Sequence, residues 1–396
     1  MILLPLGPLD APALDGAVVA AYATTLDGTP VFARNEATRV MPASNQKLLT
    51  AAYALNALGP DARWATRVWR ERRGNVVEAE GDPLLTRESF LRLDVDRRKP
   101  VFVAEAYASG IPEGWQRDYL GDRYGASVYA LSVDDAGFEL WAKGGKPELR
   151  PEPYGVKVET RKGDKLAWKY DPFKRLLVVT GTLPEDERRL DTLATPRADF
   201  AAASLLGHDP RPLDGPVPTR PPDLLLAGHT VAEAVAACLP PSDNNIAEHL
   251  LLNAAKAHGE DPYPAATSGL RAFLESTVGT PAADVLPRDG SGLGRQNLVT
   301  ARAMVTLLRW ADRQPWHGTW RDSLARAGGP GTLKSRLADV SFRGKTGSLN
   351  HVLALSGYLT RRDGTEIALS VIVNHYAAPD AEVRAAMDAW VRSLGS

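Results

Sequence analysis

The sequence is poor in cysteine: Cys238 is the only one among 396 residues. A single thiol excludes an intramolecular disulfide and any zinc or iron–sulfur cluster built on cysteines. Because Cys238 lies in the apolar run 231–239, we expect a buried thiol that packs as a small hydrophobic side chain and is not a nucleophile. Apolar runs also stay shorter than the about 18 residues that a membrane-spanning helix needs, so we predict no transmembrane helix.

Net charge is nearly absent as well. The 47 Lys and Arg residues and 48 Asp and Glu residues leave a formal charge of −1 at pH 7. With no net basic field to hold a polyanion, we do not expect a nucleic-acid-binding protein. Residues 1–6 are apolar but lack the basic flank and the small-residue cleavage pattern of an export signal, and we identify no signal peptide.

Histidine is scarce and scattered, with seven residues and no His-Glu-x-x-His motif. We therefore expect no metallopeptidase, no metal site and no cofactor. His249 and His351 are interpreted as residues of the surface or of a cleft edge.

Predicted strands at both ends of the chain enclose a largely helical region. A hairpin is expected over 18–33, because Asp27-Gly28 suits a tight turn, and a helix over 44–57, which Gly59-Pro60 ends. Strands are predicted at 341–344, 351–360 and 366–374, and helices at 230–239, 245–257, 269–276, 300–313 and 381–394. We expect an α/β protein whose first and last strands share an antiparallel sheet.

The region between these two parts has a different character. Strand-like alternations separated by charged clusters predict a β-rich insert over 67–222, of one or two small subdomains, with the proline-dense segment 210–222 as its exit. Residues 1–66 and 223–396 then form one domain.

Ser44 and Lys47 lie at i and i+3 of the predicted first helix, on one face. A buried lysine with a lowered pKa can take the proton of a serine hydroxyl and make it a nucleophile. Read alone, the pattern equally fits a helix N-cap followed by a solvated lysine.

Two further motifs follow along the chain. Ser242-Asp243-Asn244 places a hydroxyl and a carboxamide on a turn, where one can relay a proton and the other can bind an amide. Lys345-Thr346-Gly347-Ser348 offers a cation and hydroxyls that can hold a carboxylate, with a glycine that lets a substrate approach the backbone. Each also has a plain structural interpretation, as an N-cap and as an edge lysine before a bulge.

Together and in this order, the three motifs resemble those of the penicillin-binding proteins and serine β-lactamases. The chain is similar to the low-molecular-mass penicillin-binding proteins of the D-alanyl-D-alanine carboxypeptidase/endopeptidase family, peptidase family S13. The long separation of Ser44 from Ser242 is typical of that family. Further matches are Gly81–Leu85, Asp289–Leu293, Gly331–Leu333 and Gly344–Leu359; Gly294-Arg295 departs from the usual Ser-Arg.

The resemblance implies a β-lactamase/transpeptidase-like domain interrupted by the insert. It implies an acyl-enzyme on Ser44, with Lys47 as base and Ser242 as proton relay. It assigns substrate binding to Asn244, Lys345, Thr346, Gly347 and Ser348. It also implies that the backbone N–H groups of Ser44 and Ser348 form the oxyanion hole.

The implied substrates are peptidoglycan stem peptides ending in D-Ala-D-Ala, and β-lactams are the implied covalent inhibitors. A cell-envelope location, periplasmic or extracytoplasmic, follows from that substrate. Endopeptidase cleavage of cross-links, a β-lactamase of the same fold and a catalytically silent wall-binding scaffold are the alternatives. The intact Ser44-Lys47 pair argues against a silent protein.

Overall fold

The computed structural model describes residues 7–107, 110–259 and 263–395. The chain forms two compact units, one of residues 1–61 with 231–396 and one of residues 62–230. We call the first the terminal unit and the second the insert. From the sequence we predict 67–222 for the insert. The boundaries lie further out because strands at 63–70 and 224–230 pair with each other inside it.

The terminal unit begins with a hairpin and a helix: β1 (Val18–Thr25), β2 (Pro30–Arg34) and α1 (Gln46–Leu58). Gly28 adopts a φ of 107° in the hairpin turn, a conformation that glycine reaches without strain. Gly59, with a φ of 81°, ends α1, and its N–H bonds the Leu55 carbonyl oxygen at 3.1 Å. The helix thus ends where the sequence predicts.

The insert is built mainly of strands. Its elements are β3 (Arg63–Arg70), β4 (Asn75–Ala79), α2 (Arg87–Leu91), β5 (Pro100–Glu105), β6 (Gly137–Lys143), β7 (Lys146–Arg150), β8 (Lys157–Arg161), β9 (Ala167–Asp171), β10 (Leu176–Thr180), β11 (Arg188–Ala194), α3 (Ala198–Ala203), β12 (His208–Pro212) and β13 (Leu224–Thr230). They form sheets in the orders β12-β5-β4-β3-β13, β11-β6-β7 and β8-β10-β9. One apolar core lies against the first sheet, and another joins the other two.

The chain then returns to the terminal unit. The elements there are α4 (Val231–Cys238), α5 (Asn244–Ala257), α6 (Tyr263–Phe273), β14 (Val285–Leu286), β15 (Leu298–Val299), α7 (Ala301–Ala311), α8 (His317–Asp322), β16 (Ala325–Arg326), β17 (Ser341–Leu349), β18 (Val352–Thr360), β19 (Glu366–Asn374) and α9 (Asp380–Leu394). The helix predicted at 269–276 begins earlier, and a π-helical turn, Leu274–Val278, follows it. Strand β17 is longer than predicted and runs through the Lys345 motif.

The terminal unit is organised around one antiparallel sheet of order β16-β17-β18-β19-β1-β2. Strand β1 pairs with β19 from Val18 opposite Asn374, so the first and last strands share the sheet as expected. Alternate side chains of β18 and β19 pack on α9, where Trp390 is buried. The opposite face carries Tyr358, whose hydroxyl donates to the Leu308 carbonyl oxygen of α7 at 2.6 Å. Helices therefore cover both faces of this sheet.

Within the described ranges, we find no helix with the length and apolar character needed to cross a membrane.

Candidate active site

Ser44 and Lys47 lie at the start of α1. Ser44 belongs to a 3-10 turn, Ala43–Asn45, that leads into the helix, and Lys47 is one turn further on. The Lys47 Nζ atom is 3.0 Å from the Ser44 Oγ atom. Ser44 is half-buried, whereas Lys47 is fully buried. The hydroxyl is thus reachable by a substrate while the amine behind it is shielded from water.

Two carbonyl oxygens accept hydrogen bonds from the Lys47 amine on the sides away from Ser44. Its Nζ atom donates to the Asn244 Oδ1 atom at 2.6 Å and to the Ser291 backbone oxygen at 2.7 Å. A neutral amine has two N–H groups and one lone pair. Because both acceptors occupy the N–H groups, the lone pair of a neutral Lys47 is directed at Ser44.

Burial lowers the pKa of Lys47, because the ammonium form loses its hydration. The neighbouring Cys238, Asp243, Asp289 and Glu248 act in the opposite direction and favour the ammonium. Burial is the largest of these effects. Burial therefore shifts Lys47 toward the neutral amine, the form that can accept the proton of Ser44.

The second motif lies on the turn between α4 and α5. Asp243 caps α5, its Oδ1 atom accepting from the Ile246 N–H at 3.0 Å. The cap places Asn244 at the first residue of α5, facing Lys47. Ser242 is half-buried with a φ of 70°, and among the described residues no hydrogen bond joins its hydroxyl to Ser44 or Lys47. The structure thus brings Asn244 into direct contact with the pair and Ser242 only into the neighbouring turn.

The third motif lies on β17, beside the Ser44 turn. A Cβ atom placed on Gly347 would be 3.0 Å from the Ser44 backbone nitrogen and 2.8 Å from the Pro42 oxygen. Only glycine lets the strand approach this closely. Thr346 is half-buried and Ser348 is exposed. The backbone of β17 therefore forms one wall beside the Ser44 hydroxyl.

Lys345 is fully buried in this wall, and its Nζ atom donates to the Thr346 carbonyl oxygen at 2.8 Å. Burial and the nearby Lys47 lower the pKa of Lys345 well below its usual range. An anionic group bound beside both lysines would reverse this effect, because it stabilises the ammonium forms. The arrangement thus favours a carboxylate ligand.

The loop Asp289–Gly294 holds the acceptor of Lys47 in place. Helix α1 donates to successive carbonyl oxygens of this loop, from Gln46 to Asp289 at 3.2 Å and from Thr50 to Gly290 at 2.7 Å. On its other side, Glu248 of α5 accepts from the N–H groups of Gly290 at 2.9 Å and Ser291 at 2.8 Å. Burial and the nearby Asp289 raise the pKa of Glu248 to about 8.

Comparison with known proteins decides the family. The model of the D-Ala-D-Ala carboxypeptidase 3 (S13) family matches residues 8–99 and 226–394. The D-alanyl-D-alanine carboxypeptidase of Actinomadura sp. (strain R39) is 31% identical over 447 residues, which cover 94% of this chain and 80% of that protein. The chain belongs to the S13 family.

Solved structures agree with this assignment at the level of the fold. Penicillin binding protein 4 (dacB) from Haemophilus influenzae aligns with a TM-score of 0.79 at 20% identity, covering 96% of both chains. Its complex with a novel β-lactam aligns with a TM-score of 0.73, at the same identity and coverage. The predictions of an S13 carboxypeptidase and of the β-lactamase/transpeptidase-like fold are confirmed, whereas the role of each site residue stays a prediction.

Several residues of this S13 site carry no motif that identifies them in the sequence. Glu248 is one, and Asn45 is another: its Nδ2 atom donates to the Ser356 Oγ atom at 2.6 Å, and Ser356 donates to Ser370 at 2.8 Å. Ser356 lies on β18 and Ser370 on β19, so these bonds tie the Ser44 turn to two strands of the sheet, and Ser356 lies opposite Lys345 of β17 in the register. A signal was available, since each serine interrupts an otherwise apolar strand.

Three single residues complete the comparison with the sequence. Cys238 is buried, and burial raises the pKa of its thiol to about 12, so it is neutral. His249, predicted to lie at the surface or at a cleft edge, is fully buried and is not a surface residue; its helix α5 packs against α1. His351 is exposed, as predicted.

Proposed function

We propose that this S13 enzyme releases the terminal D-alanine from peptidoglycan stem peptides that end in D-Ala-D-Ala, through an acyl-enzyme on Ser44. The observation that carries the proposal is the Lys47 amine, 3.0 Å from the Ser44 hydroxyl and held on its other sides by Asn244 and Ser291. A serine beside a shielded base is the arrangement that nucleophilic acyl transfer needs.

In the first step, Ser44 Oγ attacks the carbonyl carbon of the peptide bond between the two D-alanines while Lys47 accepts the hydroxyl proton. The negative charge that develops on the carbonyl oxygen is stabilised by the backbone N–H groups of Ser44 and Ser348. The close contact of Gly347 with the Ser44 turn supports this pairing of a helix start with a strand.

In the second step, the bond to the leaving D-alanine breaks and its nitrogen gains a proton, which Ser242 passes on from Lys47. Asn244 holds the amide of the substrate. Lys345, Thr346 and Ser348 bind the terminal carboxylate, whose negative charge stabilises the ammonium form of the buried Lys345. Water then hydrolyses the ester on Ser44 and regenerates the hydroxyl.

We infer a location in the cell envelope, since that is where the proposed substrate lies. We also infer that β-lactams acylate Ser44, because they present a reactive amide and a carboxylate to the same groups. The domain that acts is the terminal unit, with the residues named above as its site.

The test is D-alanine release from a synthetic peptide ending in D-Ala-D-Ala. We expect Ser44→Ala to lower kcat by several orders of magnitude while the protein keeps its melting temperature. Unchanged release by this variant would disprove the assignment of the nucleophile.

The carboxylate subsite is tested with Lys345→Ala, comparing the peptide acid with its C-terminal amide. Loss of a buried charge partner costs about 2–5 kcal/mol. We therefore expect the acid to lose far more kcat/KM than the amide. An equal loss for both substrates would contradict the assigned role.

A further inference from the structure

The insert contains a cleft that the proposed catalytic steps do not use. It has a volume of about 520 Å³ and lies between the turn 117–122, strand β9 with the turn that follows it, and strand β11. A volume of this order suits a small-molecule or oligomer ligand. Every residue that lines it belongs to the insert.

Aromatic rings line this cleft, and one of them is exposed. In the described part of the chain, five large hydrophobic side chains are exposed, and only two of these are aromatic: Phe173 at 58% and Tyr124 at 46%. Phe173 lines the cleft, and Tyr124 follows the turn 117–122, packing against Tyr119 at a centroid distance of 5.8 Å. Trp168 and Tyr170 of β9 also line it. These rings offer apolar surface to a ligand.

Carboxylates beside the rings are held in fixed positions. The Asp191 Oδ2 atom accepts from the Trp168 Nε1 atom at 2.6 Å, and its Oδ1 atom accepts from the Thr192 N–H at 2.8 Å. The Asp171 Oδ1 atom accepts from two backbone N–H groups, of Phe173 and Lys174, each at 3.0 Å. A carboxylate has about four lone-pair sites, so each retains acceptor capacity for a ligand.

The charge of the lining selects against anions. Four aspartates face one arginine and one lysine around the cleft. The guanidinium of Arg117 already lies over the Phe173 ring, 5.4 Å from its centroid. A phosphate or a peptide carboxylate would therefore meet net repulsion, whereas hydroxyl and amide N–H donors would find acceptors.

We propose that this cleft binds a saccharide, and specifically the chain of N-acetylated amino sugars that carries the stem peptides. A pyranose ring has an apolar face for the aromatic side chains and a polar edge whose hydroxyl and amide groups donate to carboxylates. The identity of this sugar chain rests on the proposed function. The insert then holds the polymer while the terminal unit acts on its peptides.

The test is isothermal titration calorimetry of the full-length protein with a soluble hexamer of β-1,4-linked N-acetylglucosamine. We expect the wild type to bind. Phe173→Ala should raise Kd by about tenfold, the effect of losing one stacking contact. Asp191→Asn should raise Kd by more than Phe173→Ala does, because it removes a charged acceptor. Leu225→Ala is the matched control, because Leu225 is exposed at 63% in the same unit but outside the cleft.

Three results would overturn the proposal. The first is that the wild type fails to bind the hexamer at millimolar concentration. The second is that Phe173→Ala and Asp191→Asn both bind the hexamer like the wild type. The third is that tetramethylammonium binds in a Phe173-dependent way while the hexamer does not, which would identify the cleft as a cation site.

D-alanine release from a sugar-free peptide by the wild type is measured in parallel. Release without saccharide binding would overturn this proposal alone. Saccharide binding without release would support it and overturn the proposed catalytic function.

Discussion

The side chain of Lys47 is a buried amine with three hydrogen-bond partners. Asn244 and Ser291 occupy two of its hydrogen-bonding directions, and Ser44 occupies the third. A protonated Lys47 fills all three as a donor and has no lone pair with which to accept the serine proton. In the proposed mechanism, its protonation state therefore decides whether Ser44 can be activated.

We predict that acylation depends on pH through Lys47. Because burial lowers the pKa of this amine, the neutral form is populated at lower pH than for a free lysine. The rate of acylation by benzylpenicillin should fall as pH decreases through this pKa, with a midpoint below the ordinary lysine value of about 10.4. Rates measured from pH 5 to 10 test this. A rate that rises as pH decreases, or a midpoint at or above the ordinary lysine value, would contradict a lysine base with a lowered pKa.

The variant Gly347→Ala tests whether activity depends on the close approach of β17 to the Ser44 turn. In Gly347→Ala, the new Cβ atom would lie 2.8 Å from the Pro42 oxygen, so strand or turn must shift. A shift of this kind costs on the order of 100-fold in rate when it misplaces reacting groups. We expect a large loss of acylation rate in the variant. Gly318→Ala is the control, since nothing lies within 4 Å of its new Cβ atom, and equal rates for both variants would refute the account.

At the scale of elements, α1 and α5 hold the loop Asp289–Gly294 between them. Side chains of α1 donate to its carbonyl oxygens, and Glu248 of α5 accepts from its N–H groups. Gly292 is required there, because a Cβ atom at this position, where φ is 81°, would overlap the Ala43 carbonyl oxygen. The motif Asp289–Leu293, noticed in the sequence without a role, thus positions an acceptor for Lys47.

We predict that Glu248→Leu both destabilises the protein and slows acylation. The change leaves two buried N–H groups without an acceptor, at roughly 1–3 kcal/mol each. It also frees the Ser291 carbonyl from its fixed position against Lys47. Urea denaturation and the acylation rate measure the two effects. Glu248→Gln, which retains one acceptor, should lie between the leucine variant and the wild type.

Glu275→Leu serves as the control for this prediction, because Glu275 is exposed in the π-helical turn after α6. It should leave both quantities near the wild-type values. The role of Glu248 would be disproved by a leucine variant that acylates at the wild-type rate.

Local signals explain which elements could be predicted from the sequence. Helix α1 ends at Gly59 as predicted, because the chain adopts a positive φ there. The strand predicted over 341–344 is shorter than β17, whose ladder with β18 continues to Leu349. The contact of Glu248 with Ser291 was not foreseen, since it joins distant segments and no local pattern reports it.

At the scale of the whole molecule, the chain enters the insert through β3 and leaves it through β13, and these two strands are adjacent. Strands β3 and β13 pair antiparallel, with Arg63 opposite Thr230. Its entry and exit are therefore neighbours, an arrangement that lets a terminal unit accept a long insertion without breaking its own sheet. The insert has apolar cores of its own.

We predict that residues 62–230 fold when expressed alone. Apolar cores of their own and the pairing of β3 with β13, which brings the two ends together, satisfy the requirements of an independent domain. The fragment should give a β-rich circular dichroism spectrum and unfold cooperatively in urea. A fragment that stays unfolded under conditions where the full chain is folded would show that the insert depends on the terminal unit.

The central claim, an acyl-enzyme on Ser44, is tested most directly by intact-mass spectrometry after adding benzylpenicillin, with Ser44→Ala as the control. We predict a persistent one-to-one adduct on the wild type and no adduct on the variant. An adduct on Ser44→Ala, or none on folded wild-type protein, would contradict the claim, and rapid adduct loss with hydrolysis of the drug would indicate a β-lactamase instead.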